Sequence, residues 1–172
     1  MTLLRSACLS FGLLCACSPA LDWRQVRPTG LGIEAMFPCR PATLSRSIEL
    51  AQRRVEMTMH ACAAGGSTYA VGALTLDDVR DVGGALTSLR DAATRNVGAV
   101  AGEAQTVGVP GMTPHAQAAR LTLVGHRPDG TPVVEHVAVF ARGPRVYQAT
   151  VVGDRPEAEA VSVFFAELRL VL

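Results

Sequence analysis

The side chains of this chain that could do chemistry are four histidines, five cysteines and a few paired carboxylates. A zinc-type site needs three protein ligands that converge. His126 and His136 flank Pro128-Asp129-Gly130-Thr131, a hairpin signal. Taking Asp129-Gly130 as a two-residue loop sets His126 opposite Val133 and His136 opposite Leu123. Opposite residues share a face and faces alternate along a strand, so the two imidazoles point to opposite sides and cannot share an ion; a bulge would overturn this. His60 has the parity of Cys62, which brings two ligands into view and no third. A hydrolase needs a nucleophile, a base and an orienting group. No serine sits in G-x-S-x-G; Ser67 follows Gly65-Gly66 and reads as turn chemistry, and Ser45 and Ser47 lie on a strand edge. Asp77-Asp78 and Glu157/Glu159 both precede helical patterns, where acids complement the helix dipole. The glycines form no G-x-G-x-x-G and read as turns. No catalytic, cofactor-binding or metal-binding residues emerge, and the expectation is a chain that is not an enzyme.

Cysteine chemistry begins at the N-terminus. Residues 1–17 read MTLLRSACLSFGLLCAC: Arg5, then a mostly apolar run over Ala7–Leu14, then small residues before a cysteine. This is the layout of an export signal, and the run is too short to span a bilayer. Leu14-Cys15-Ala16-Cys17 resembles the bacterial lipobox. The resemblance implies cleavage after Ala16, diacylglycerol on the Cys17 sulfur and acylation of the new amine. Ser18 in place of an Asp then points to the outer membrane, facing the periplasm. The competing reading is a plain secretory signal with incidental cysteines. Cys8 and Cys15 leave with residues 1–16 and Cys17 takes the lipid, so Cys39 and Cys62 remain, an even pair in an oxidising compartment. One disulfide is expected, worth roughly 3 kcal/mol in the chain-entropy model. Two free buried thiols are the alternative, and the pair lacks the C-x-x-C spacing of a redox site.

The elements that would position these residues fit one domain. Residues 1–16 are read as the signal peptide, 17–30 as lipid anchor and tether, and 31–172 as a single domain. Basic and acidic residues number 16 and 15, leaving 15 and 15 once Arg5 departs; this balance gives no footprint for nucleic acid, and 5% aromatics offer few stacking platforms. All basic residues are Arg, which excludes Schiff-base chemistry and a P-loop lysine. Alternation predicts strands over Leu31–Phe37, Arg46–Ala61, Ser67–Leu76, Ala116–His126, Pro132–Arg142 and Arg145–Val152, with a short one over Gln105–Val109. Val82, Leu86, Leu89, Ala93 and Val97 lie at helical spacing behind Asp81, a credible N-cap, and Gly98 or Gly102 ends the run. Pro156–Leu168 reads as a second helix with Val161, Phe164, Phe165 and Leu168 on its apolar face. Tight turns imply antiparallel pairing, and the expected class is α+β: an antiparallel sheet flanked by two main helices in a layered sandwich.

The order of elements is itself informative. A strand ends in Phe37-Pro38 with Pro41 three residues on; strands, a helix and further strands follow, down to Arg145-Val146-Tyr147-Gln148-Ala149-Thr150-Val151; a closing helix holds Phe164-Phe165 and Leu168. Over about residues 30–170 this resembles PsbP-like domains, a family with bacterial lipoprotein relatives. The resemblance implies an antiparallel sheet flanked by helices and a binding or assembly module with no catalytic residues; Cys39 and Cys62 are outside the family pattern. Arg142 and Arg145, at the Gly143-Pro144 tip, are the candidate surface for an envelope protein partner. The functional expectation is a non-enzymatic outer-membrane lipoprotein that binds or assembles envelope components. The alternative is a periplasmic small-ligand-binding or enzymatic domain, for which a concave pocket with convergent polar groups would speak.

Overall fold

The computed structural model describes residues 21–50, 53–100 and 103–171. Cys17 and the expected cleavage site lie outside the described residues. The strands are β1 (Arg24–Val26), β2 (Ile33–Phe37), β3 (Ala42–Leu50), β4 (Arg53–Ala64), β5 (Ser67–Thr75), β6 (Ala119–His126), β7 (Pro132–Arg142), β8 (Arg145–Gly153) and β9 (Arg169–Leu170). The helices are α1 (Val82–Asn96) and α2 (Ala158–Ala166). β3-β4-β5-β8-β7-β6 form a six-stranded antiparallel sheet, and β1-β2-β9 a three-stranded one.

This corrects the expected fold class. With 47% strand against 18% helix, the chain is mostly β, not a helix-flanked α+β sandwich. The physical reason lies in the apolar residues of the large sheet. Tyr69, Val71, Phe140, Tyr147 and Val151 on one face are covered by the small sheet (Ile33, Ala35, Phe37) together with α2 (Val161, Phe164). The opposite face, with Leu74, Leu121, Val137, Val139 and Val146, is covered by α1 through Val82, Leu86, Leu89 and Ala93. A second sheet therefore does on one side what the sequence reading assigned to a helix. Its strands are short, and β9 joins β2 from the far end of the chain, Ile33 facing Leu170.

Three further expectations need revising. Arg46–Ala61 is not one strand but parts of two: β3 and β4 pair as a hairpin, Leu50 facing Arg53. Gln105–Val109 contributes only a single bridge, Gln105 to Arg120. The β6–β7 loop is Pro128-Asp129-Gly130, closed by the Arg127 N–H donating to the Thr131 carbonyl at 2.8 Å, with Gly130 at φ 83°. This three-residue loop shifts the register by one, and a one-residue shift turns side chains to the other face. Thr122 now faces His136, so His126 and His136 share a face after all, four paired positions apart along the hairpin.

Helix α1 starts behind Asp81, which makes no side-chain capping bond; Asp78 instead accepts from the Arg80 N–H and caps the short 3-10 turn Val79–Asp81. The helix ends beside β6. Gly125 permits this: a Cβ there would sit 1.9 Å from the Val97 carbonyl oxygen, which accepts the His126 N–H at 2.8 Å. At its other margin the large sheet ends in β3, whose residues are mostly exposed. No helix among the described residues is long and apolar enough to cross a membrane.

Candidate functional site

Past the last turn of α1, the sheet face that the helix covers elsewhere is open. Here β3, β4, β5, β8 and β7 floor and flank a groove of about 670 Å³, with Asn96 and Val97 closing one end. The register explains its composition. Ala61 faces Ala70, which faces Thr150, and in the neighbouring same-face row Thr68 faces Val152, which faces Glu135, so two adjacent rows carry mostly small and polar side chains. Small residues leave space, and the polar ones look into it. Met59, Val133 and Val152 make the walls, and Leu44, 52% exposed, stands at the mouth.

Glu135 is the chemically significant residue. It is only 6% exposed, and its carboxylate has no hydrogen bond or ion pair among the described residues. Removing an unpaired carboxylate from water disfavours its charge. Burial accordingly pushes its pKa up to about 7, with the Arg46 charge pulling partly back. Farther along the floor, opposite Val139, the Gln148 Nε2 donates to Thr150 Oγ1 at 3.2 Å, and its Oε1 has no hydrogen bond among the described residues. Arg127 borders the groove but is tied to Asp154 and to Thr131 Oγ1. Arg46 is exposed and makes no ion pair among the described residues. A smaller depression of 420 Å³ lies at the other end of α1, where Arg80 is already clasped by Asp78 at 2.9 and 3.1 Å.

Glu135, Gln148, Thr150 and Arg46 were not among the residues singled out from the sequence. One signal was available. In β7, Val133, Val137 and Val139 are the inward-facing positions, and Glu135 occupies the same parity. A carboxylate at an inward position of a strand marks either a buried ion pair or a site.

The residues that were singled out fall elsewhere. Cys39 and Cys62 form a disulfide with Cα atoms 6.0 Å apart, linking the segment before β3 to β4. Arg142 donates to the Val171 carbonyl at 3.3 Å and Arg145 to Thr75 Oγ1 at 3.2 Å, so both guanidiniums at the Gly143-Pro144 tip are engaged within the fold. His60 is buried with Nδ1 bonded to Thr43 Oγ1, and His136 bonds Thr122 Oγ1 through Nδ1; burial lowers the pKa of both. No group of three potential metal ligands is present among the described residues.

No protein-family model matches the chain, and no curated protein matches it. Among solved structures, the chain is similar to a protein from Bacteroides thetaiotaomicron at 8% identity and a TM-score of 0.42, over 82% of this chain. It spans 46% of the length of that protein.

Proposed function

We propose that this protein is a lipid-anchored binding module on the periplasmic side of the outer membrane, non-enzymatic, which holds a small amphiphilic molecule in the groove beside α1. The observation that carries the binding site is the buried Glu135 carboxylate, without a partner among the described residues, lining an open cavity that Met59, Val133 and Val152 also wall. Cavities of this size with a few convergent polar groups suit small ligands. Among the described residues lining the groove Glu135 is the one acidic group, which supports a role in holding a ligand. The likeness of residues 30–170 to PsbP-like domains, carried by Phe37-Pro38 and the Arg145–Val151 segment, supports the same role. The Leu14–Cys17 lipobox and Ser18 support the anchor and its membrane.

Two measurements test this. The uncharged fluorescent dye N-phenylnaphthylamine binds saturably to the wild-type protein, and Ala70→Trp, which fills the groove from β5, abolishes the signal while the unfolding transition persists. Unsaturable dye uptake, or uptake indifferent to Ala70→Trp, rejects the groove as the site. Intact mass of the protein from membrane fractions yields a chain beginning at an acylated Cys17; an unacylated chain removes the anchor from the proposal.

A further inference from the structure

We infer, resting on the binding reading above, that the groove selects a cationic amphiphile, with a primary ammonium against Glu135 and its apolar body along Met59, Ala70 and Val133. The floor is rich in acceptors. Glu135 offers two carboxylate oxygens with no partner among the described residues; Gln148, two same-face positions farther along β8 than the Val152 that Glu135 faces, adds an amide oxygen with no hydrogen bond among the described residues. An ammonium brings three donors and one positive charge, which satisfies both the lone pairs and the charge. An anion would meet a like charge there, and a neutral alcohol would supply one donor only.

The charged groups around Glu135 allow this. From β3 it is faced by Arg46, which is exposed at the mouth and screened by water. The β6–β7 loop contributes Arg127, neutralised by Asp154. Its cross-strand neighbours are Leu123 on β6 and Val152 on β8, and α1 presents Asn96; none of these titrates. A cation bound at the floor therefore interacts chiefly with the one carboxylate. That carboxylate must ionise to make the pair, so binding a cation at neutral pH releases a proton.

The test uses the full chain carrying Cys17→Ala, which keeps it unacylated, and N-phenylnaphthylamine as reporter. Decylammonium, decanoate and decanol compete for the dye at pH 6 and pH 8, all below their micelle concentrations. Decylammonium should be the strongest competitor and should gain roughly tenfold in affinity from pH 6 to pH 8, because a group with a pKa near 7 goes from about one-tenth to about nine-tenths ionised. Glu135→Gln keeps the shape and should retain the dye while losing both the preference and the pH dependence. Calorimetry in buffers of different ionisation enthalpy should register proton release on decylammonium binding. Equal competition by all three compounds, or a preference that survives Glu135→Gln, overturns the cation inference and leaves the binding reading standing. Failure of the dye to bind at all takes down both.

Discussion

At the scale of single residues, Glu135 is where stability and binding oppose each other. Its pKa is about 7 in the folded chain against an ordinary 4.5. A carboxyl whose folded pKa is raised binds its proton more tightly when folded. Its penalty is absent below about pH 4.5 and grows as pH rises through 7. That gap corresponds to an upper limit on the order of 3 kcal/mol. Urea unfolding should show the wild type losing stability between pH 5 and pH 8, and Glu135→Gln should flatten that profile. An unchanged slope in the variant would place the titration elsewhere. Glu135 was legible in principle as a carboxylate on the apolar parity of β7, but parity alone could not say whether a partner neutralised it. Glu34 shows the other outcome: it is equally buried, and Arg27 pairs with it at 2.9 Å.

Elements fix how these residues meet. The end of α1 is seated on β6 by Gly125, and the open half of the sheet begins there. Gly125→Ala would drive a methyl into the Val97 carbonyl, an overpacking that costs about 1–3 kcal/mol and displaces one end of the groove. Chemical denaturation and dye affinity should both register it; a variant with native values for both would show that the helix end yields freely. The disulfide acts on a different pair of elements, tying the segment before β3 to β4. Removing it by Cys39→Ala with Cys62→Ala should cost roughly 3 kcal/mol, read from the shift in urea midpoint. β5, β7, β8 and both helices were legible because their periodicities are clean and Gly or Pro punctuates them. The β3–β4 hairpin was not, because Ala51-Gln52 carries no turn residue. The β6–β7 register slipped because Asp129-Gly130 suits a two-residue loop as well as part of a three-residue one.

For the whole molecule, the large sheet separates two cores of different make-up. The aromatic one is centred on Phe164, whose ring lies edge-on to Phe37 at 5.6 Å and Tyr69 at 5.5 Å, joining α2 to both sheets. Phe164→Ala should therefore cost about 3–5 kcal/mol and loosen the small sheet together with the large one, so that circular dichroism and tryptophan fluorescence from Trp23 shift along one unfolding curve. Two separate transitions would mean that the small sheet comes away alone. The three-stranded sheet itself was illegible, because β2 and β9 meet across almost the full described chain and only two residues mark β9. The outer strand of the large sheet carries another implication. β3 runs nine residues, and among the described residues no strand pairs with its far side, which leaves a row of backbone donors and acceptors there. Such a row invites a foreign strand, and side-chain charge is the usual deterrent. Arg46 and Glu49 stand on that strand, so Arg46 guards the solubility of the molecule as well as the mouth of its groove.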